Sequence, residues 1–354
     1  MKKIITVVNG GDKNSAAKKR AAELTLPPKP AVPTELGKGL LPLVIVGIRE
    51  LTPRVRAYEL RDPHGKELPF LFAGSHLQVP VLLSDGKIEL RHYSICSNPA
   101  DRDFYEIAVL KDASGRGGSL SIHDNYTVGL RLNCEPPVNQ FQLHADNSPA
   151  ILIAGGIGIT PIKPMVQVLV ARGRRVQLHY AGRSLKEMAF SECLSHELGA
   201  NFFAYPADEN KRFDVMQVVA DAPHNALFYV CGPLTLIDAV YTSATLFGVA
   251  KDRIQCEQFS SASSTNDGPL FVELVKSKKL IYVAQDQSIL TALRDAGISV
   301  NFDCCVGDCG TCTVKVLDGE VDHRDQVLSD LDRAEGMMCV CVSRAKSERL
   351  VVDL

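Results

Sequence analysis

Apolar and polar residues alternate in short runs between residues 43 and 146, and Gly, Pro and Asp separate the runs. The runs are residues 43–48, 55–60, 77–82, 105–110 and 130–134. Alternation with a period of two is typical of a strand that buries one of its faces. Several short strands at this spacing predict a closed antiparallel β-barrel.

Strand and helix patterns alternate in the next region, residues 147–257. Buried-strand runs occur at residues 151–153, 176–180, 202–205 and 227–230, and a helical stretch follows each. This βαβ order predicts an α/β domain with a doubly wound parallel sheet.

A polar segment, residues 258–270, predicts a linker to a third domain at residues 271–354. There the pattern predicts strands at 271–276, 279–283, 313–317 and 350–352 and a helix at 288–296, which is an α+β arrangement. Residues 1–42 are basic, rich in Pro and poor in apolar residues to bury, so they predict a flexible tail.

Length and charge restrict the class of protein. A chain of 354 residues suits two or three domains. Its net charge of −2 gives no electrostatic case for nucleic acid as the main ligand. No apolar run approaches the roughly 18–20 residues that span a bilayer. The apolar stretch after the initial Met-Lys-Lys is too short for a signal peptide, so we expect a cytoplasmic protein.

Six of the eleven cysteines lie close together near the C-terminus: Cys304, Cys305, Cys309, Cys312, Cys339 and Cys341. Crowded cysteines in a reducing compartment usually bind metal. The spacing Cys304-x4-Cys309-x2-Cys312 is that of plant-type [2Fe–2S] proteins, whose fourth ligand lies far downstream. Cys339 and Cys341 are both candidates for that ligand. Zinc is the alternative, but the pair Cys339-x-Cys341 is too tight for a second zinc knuckle.

The loop through these cysteines must curl around a cluster, and Gly307 and Gly310 supply the backbone freedom for that curl. Residues 302–312, 318–325 and 341–346 together resemble the C-terminal ferredoxin domain of the phthalate dioxygenase reductase family. The resemblance implies a β-grasp ferredoxin domain. It also implies that the ligand directly before Val-Ser-Arg-Ala-Lys is the fourth, which selects Cys341 to join Cys304, Cys309 and Cys312. Cys305 is a departure, because relatives carry a non-thiol residue there.

Two segments of the barrel region carry chemistry that suits a flavin. Arg91-His-Tyr-Ser94 offers a phosphate-binding guanidinium, an aromatic ring and a hydroxyl, and Gly115-Arg-Gly-Gly-Ser119 opens a possible helix with an anion site at its start. Taken alone, the second segment is more typical of a flexible turn. The pair resembles the FMN site of the same family. That resemblance implies flavin contacts by Arg91, Tyr93, Ser94, Arg116, Gly117, Gly118 and Ser119, with Phe259 beside the ring.

Residues 151–161 form a buried run, a glycine-rich turn and a helix start, which suit a pyrophosphate. Thr160 is the predicted N-cap and Pro161 the first helical residue. The turn and a later Tyr-x-Cys-Gly-Pro resemble the ferredoxin reductase superfamily. The likeness implies nicotinamide-cofactor contacts by Gly155, Gly156, Gly158, Thr160, Cys231, Gly232 and Pro233.

Arg183 follows the second predicted strand of this domain, where the adenosine ribose is expected. Arg183 and Lys186 could bind the 2′-phosphate of NADPH. The negative charge of Glu187 beside them opposes binding of the 2′-phosphate, and Arg183 can instead stack on adenine. We therefore predict NADH.

The order flavin, nicotinamide, cluster implies a reductase that takes hydride from NADH into FMN and releases single electrons through the cluster. The resemblance implies a separate partner, a Rieske non-haem iron oxygenase acting on an aromatic or other small organic molecule, and a monomer suffices for such shuttling. One alternative is an FAD-dependent reductase for a di-iron or haem hydroxylase. Another is a passive ferredoxin carrier fused to a degenerate reductase, which the intact glycine and Cys-Gly-Pro motifs oppose.

Overall fold

In the computed structural model, the alternating runs after residue 33 form a barrel of two sheets. The structure describes residues 33–113, 117–209, 211, 213–259, 267–285, 287–302, 307, 310–325 and 327–354, all within the unit Pro33–Leu354. The barrel strands are β1 (Glu35–Gly37), β2 (Leu41–Thr52), β3 (Val55–Arg61), β4 (Ser75–Leu82), β5 (Ile88–Ser94), β6 (Tyr105–Leu110), β7 (Arg131–Cys134) and β8 (Val138–Asn139).

One sheet has the order β1-β7-β2-β3-β6, the other β5-β4-β8, and a bridge between Ile95 and Ile107 joins them. Neighbouring strands are antiparallel except β1 and β7, which pair in parallel. Alternate residues fill the interior, as Leu77, Val79 and Val81 of β4 do with no exposed surface. Helix α1 (Gly118–Asn125) packs against β4. The predicted barrel is confirmed.

The second domain is a parallel sheet of order β11-β10-β9-β12-β13. Its strands are β9 (Ala150–Gly155), β10 (Val176–Gly182), β11 (Phe202–Pro206), β12 (Leu227–Cys231) and β13 (Ile254–Glu257), and its helices are α2 (Ile159–Ala171), α3 (Ser191–Leu198), α4 (Val215–Asp221) and α5 (Leu234–Leu246). Helices α2 and α3 cover one face and α4 and α5 the other, so β9 is buried along its whole length. The chain order reverses between β9 and β12, where doubly wound sheets form a crevice for a ligand.

The third domain has a mixed sheet of order β15-β14-β20-β16-β18. Its strands are β14 (Leu270–Leu274), β15 (Lys279–Val283), β16 (Thr313–Asp318), β17 (Val321–Asp322), β18 (Met337–Cys339), β19 (Arg344–Ala345) and β20 (Arg349–Val352), and its helices are α6 (Ile289–Asp295) and α7 (Asp330–Ala334). Helix α6 starts where the Ser288 hydroxyl accepts the Thr291 N–H, 3.1 Å away, and it buries Ile289, Leu290 and Leu293 against the sheet. A helix packed on a mixed sheet agrees with the predicted β-grasp domain.

The predicted tail boundary at residue 42 is wrong. Strand β1 lies in parallel beside β7, and Leu36 is 1% exposed in the barrel core. The three residues of β1 are too few to show alternation, so only their pairing with β7 reveals the strand. Residues 1–32 of the predicted tail lie outside the described residues.

No helix in the described ranges combines the length and apolar character needed to cross a bilayer.

Candidate functional site

The glycine turn after β9 and the Cys-Gly-Pro turn after β12 lie against each other. The two strands are parallel neighbours, and Cys231 pairs with Ala154. A Cβ at Gly158 would lie 2.2 Å from the carbonyl oxygen of Cys231, and one at Gly155 would lie 2.7 Å from Cδ of Pro233. Only glycine permits this approach of the two backbones. The motifs that imply a nicotinamide site therefore meet at the carboxyl edge of the sheet.

The turn itself leads directly into α2. Gly156 has a φ of +55°, and a Cβ there would meet nothing within 4 Å among the described atoms. The Tyr180 hydroxyl fixes the turn by donating to the Gly156 carbonyl at 3.1 Å. Backbone N–H groups and the positive end of the α2 dipole thus face one open edge, which fits a pyrophosphate.

Thr160 is not the helix N-cap that the sequence predicts. Helix α2 begins at Ile159 with Gly158 as its cap, so Thr160 lies inside the first turn. Its hydroxyl donates to the Ile157 carbonyl at 3.0 Å, and the residue is buried. The short 3-10 turn at Gly156–Gly158 continues into the helix and moves its start two residues earlier.

Arg183 follows β10 and is exposed at the same edge of the sheet, together with Lys186. Glu187 points elsewhere, because its carboxylate accepts from Nη2 of Arg54 in the barrel at 2.5 Å. The ion pair offsets the charge of Glu187, which weakens the argument that this carboxylate repels a 2′-phosphate.

The Arg91 side chain extends from β5 to the start of α1. A Cβ at Gly118 would lie 2.9 Å from Nε of Arg91, so a side chain at this position would displace the guanidinium from the start of α1. Gly117, the N-cap of α1, has a φ of +78°. Nη1 of Arg91 also lies 2.6 Å from a carboxylate oxygen of Glu89. A guanidinium beside a helix N-terminus suits the flavin phosphate, as the sequence predicts. Arg116 lies outside the described residues.

The start of α1 also positions Ser119, whose hydroxyl accepts the Asp112 N–H at 3.1 Å. On β5, Tyr93 packs at the edge of the barrel core, and burial raises the pKa of its hydroxyl although the Arg91 charge opposes the shift. The phenol of Tyr93 is therefore neutral across the physiological range.

The ends of β5 and β13 meet at Ser94. The Ser94 hydroxyl lies 3.5 Å from a carboxylate oxygen of Glu257, and Phe259, two residues beyond Glu257, is 42% exposed. Since Glu257 also pairs in register with Cys231, a predicted flavin residue, Ser94, and a predicted nicotinamide residue, Cys231, lie beside the same glutamate. Glu257 was not among the predicted site residues, although its place just before Phe259 could have suggested it.

Lys163 is a second residue that the sequence analysis missed. Its ammonium donates to the Cys96 carbonyl at 2.7 Å and lies 5.1 Å from the centre of the Phe190 ring. The bond joins α2 to the barrel two residues beyond Ser94. The sequence feature that could have identified Lys163 is a charged residue within the otherwise apolar start of α2.

Three of the clustered cysteines are described, and all are buried: Cys312, Cys339 and Cys341. The Cys312 thiol interacts with both of the other thiols, so this contact does not choose between them as the fourth ligand. Thiolates are the ligands of plant-type iron–sulfur clusters, but the described residues alone hold no group of three potential metal ligands. Cys304, Cys305 and Cys309 lie outside the described residues.

The glycines of the cysteine loop adopt the predicted conformation. Gly307 and Gly310 have φ values of +87° and +71°. Such dihedrals strain any residue with a Cβ, so the chain can curl there only at glycine. The backbone requirement inferred from the sequence is confirmed at both positions.

Comparison with known proteins agrees with this geometry. Residues 273–346 match the 2Fe-2S iron–sulfur cluster binding domain. The chain is 36% identical over 318 residues to the carnitine monooxygenase reductase subunit of Acinetobacter baumannii, covering 89% of this chain and 98% of that protein.

Among solved structures, phthalate dioxygenase reductase, described as a modular structure for electron transfer from pyridine nucleotides to [2Fe–2S], matches with a TM-score of 0.72 and 35% identity. The match covers 89% of this chain and 98% of that one. An intact type IV self-sufficient cytochrome P450 monooxygenase matches with a TM-score of 0.66 and 38% identity, over 88% of this chain and 41% of that one.

The fold and the three sites define an oxidoreductase that carries electrons from a pyridine nucleotide to an iron–sulfur centre. The chain belongs to the phthalate dioxygenase reductase family, the reductase components of multicomponent oxygenases. The predicted family, three-part fold and [2Fe–2S] domain are confirmed.

Proposed function

We propose that this chain oxidises NADH and delivers electrons one at a time, through FMN and its [2Fe–2S] cluster, to a Rieske non-haem iron oxygenase. The observation that carries the proposal is the convergence of Ser94, Glu257 and Cys231 where β5, β13 and β12 end. A flavin supplies an acceptor for one hydride, which carries two electrons, and a [2Fe–2S] cluster accepts one electron at a time, so the protein needs only to position them.

The nicotinamide cofactor is held by the carboxyl edge of the parallel sheet. Gly155, Gly156 and Gly158 let the backbone approach the pyrophosphate, while the first turn of α2, with Thr160, faces its charge. The turn Cys231-Gly232-Pro233 positions the nicotinamide. Arg183 stacks on the adenine, and the exposed guanidinium supports that role.

The flavin lies along β5. Arg91, Arg116 and the N–H groups of Gly117, Gly118 and Ser119 bind its phosphate at the start of α1. Tyr93 and Phe259 pack beside the ring, and Ser94 forms a hydrogen bond with it. Because the Ser94 hydroxyl donates its proton to a carboxylate oxygen of Glu257 at 3.5 Å, its oxygen is the atom that accepts a hydrogen bond from the ring.

The cluster is bound by Cys304, Cys309, Cys312 and Cys341. The converging thiols of Cys312 and Cys341 and the left-handed turns at Gly307 and Gly310 support this assignment. Cys305 and the buried Cys339 are then not ligands.

We propose that the partner is a Rieske oxygenase that acts on an aromatic or other small organic molecule. We also propose that this reductase is monomeric and cytoplasmic. A haem hydroxylase is the second candidate, and it is favoured by the match of this whole architecture to part of a cytochrome P450 monooxygenase. Titration of the NADH-reduced protein with each class of oxygenase separates the two partners.

The test of the proposal uses the purified full chain. We expect about two irons and two sulfides per chain, FMN released on denaturation, and bleaching of both chromophores by NADH. Cys341→Ser should abolish electron transfer to cytochrome c but keep NADH-dependent reduction of ferricyanide. Cys193→Ser, which removes an exposed cysteine of α3, is the matched control and should keep both activities. Release of FAD, or zinc in place of iron, would reject the proposal.

A further inference from the structure

Asp325, between β17 and α7, carries a carboxylate with no exposed surface. Its oxygen Oδ1 accepts from the Ser343 hydroxyl at 3.1 Å, and Oδ2 accepts from the Leu328 N–H at 3.2 Å. Oδ2 also lies 3.3 Å from Nη2 of Arg333, and Nδ1 of His323 lies 3.5 Å from Oδ1. A buried carboxylate is costly unless its oxygens are bonded in this way.

These bonds join the segments that surround the predicted cluster. Ser343 comes two residues after Cys341, so its bond to Asp325 holds the chain that carries the fourth ligand. The turn at Gly307 lies directly on Asp325, because a Cβ at Gly307 would be 2.9 Å from Cα of Asp325. Asp325 is therefore in contact with the cysteine loop on one side and with the Cys341 segment on the other.

The charge of Asp325 is only partly offset. Arg333 is its cationic neighbour, but that side chain is 33% exposed and its guanidinium also donates to the Asp325 backbone carbonyl at 2.9 Å. His323 adds positive charge only when protonated. A negative charge in a low-dielectric interior acts strongly on other charges nearby.

We propose that Asp325 is a positioning residue of the iron–sulfur centre. Its carboxylate holds the Cys341 segment against the Gly307 turn, and its buried charge disfavours the added electron and so lowers the reduction potential of the cluster. The inference rests on the proposed function, through the assignment of Cys341 as a ligand.

The test is a redox titration of the full chain with Asp325→Asn. Asn is isosteric but neutral, so we expect the equilibrium constant for cluster reduction to rise about tenfold, which is about 59 mV for one electron. Asp330→Asn, which removes the same charge at an exposed position on α7, is the control and should shift the constant less than Asp325→Asn does. Arg333→Met removes the offsetting cation and should shift the potential in the opposite direction.

A second variant tests the inference in case Asp325→Asn loses its cluster. Ser343→Ala removes one bond to the carboxylate and keeps its charge, so iron release to a chelator should be several-fold faster while the potential changes little. Equal shifts in Asp325→Asn and Asp330→Asn, together with unchanged iron release from Ser343→Ala, would overturn the inference. Wild-type protein that binds no iron would instead reject the proposed function, and the inference with it.

Discussion

Lys163 offers a direct test of how the nicotinamide domain is aligned with the flavin. Its ammonium crosses from α2 to the Cys96 carbonyl at 2.7 Å, so it joins the helix at the proposed pyrophosphate site to the segment that directly follows β5. Lys163→Met keeps an apolar stem of similar length and removes the charged donor. The change therefore isolates the cross-domain bond from the packing around it.

The expected magnitude follows from the contacts. A hydrogen bond from a charged donor contributes about 1.5–3 kcal/mol, and the contact with the Phe190 ring about 0.5–1 kcal/mol more. Since Lys163 is only partly buried, we expect the free energy of unfolding to fall by about 2 kcal/mol. A displacement of about 1 Å between reacting groups can cost about 100-fold in rate. Flavin reduction should therefore slow by about 10- to 100-fold.

The assay is anaerobic stopped-flow bleaching of the flavin over a range of NADH concentrations, alongside thermal unfolding. Lys163→Met should lower the rate constant at saturating NADH and leave the Kd for NADH within about threefold of wild type. Lys163→Arg, which keeps a cationic donor, should recover much of the rate. The exposed Lys251→Met is the control. A wild-type rate constant in Lys163→Met, with only the thermal stability reduced, would refute the alignment role.

Three further predictions concern the sites, and two of them have a control variant. Gly158→Ala would place a methyl group 2.2 Å from a carbonyl oxygen of the turn after β12. We expect this variant to lower the free energy of unfolding by more than about 3 kcal/mol or to abolish NADH oxidation. Its control, Gly268→Ala, has open space around the added methyl group and should be neutral. Cys341→Ser should lose the iron that Cys339→Ser retains, as measured by metal analysis and visible spectra, and the reverse result would move the fourth ligand by two residues. Arg183→Ala should weaken NADH use only modestly if the side chain stacks on adenine. A wild-type kcat/KM favouring NADPH tenfold, about 1.4 kcal/mol of transition-state binding, would overturn the NADH prediction.

The elements that the sequence predicted correctly are those whose signal is local. Strand β6 and strand β15 were placed at the residues that the structure gives, because each is a short run rich in β-branched and aromatic residues that polar residues bound. The turns at Gly307 and Gly310 were identified because glycine alone tolerates their dihedrals. In each case the physical constraint acts within a few residues.

Pairing between residues far apart in the chain could not be predicted from the sequence in this way. Strand β1 exists because three residues pair with β7 almost a hundred positions later. Glu187 was read as a charge at the ribose site, but Arg54, 133 residues away, turns it toward the barrel. The sequence around β1 does not indicate that it pairs with β7, and the sequence around Glu187 does not indicate that it pairs with Arg54.

The sequence by itself determined the three kinds of domain, the glycine turns and the cysteine spacing, since these depend on local periodicity and on backbone sterics. Only the tertiary structure decided that Ser94 meets Glu257, that Lys163 bonds to Cys96, and that Asp325 lies beneath the Gly307 turn. Such contacts depend on how whole sheets pack and on which strand ends come together. That packing is a collective result of burying apolar surface, and no single stretch of the chain encodes it.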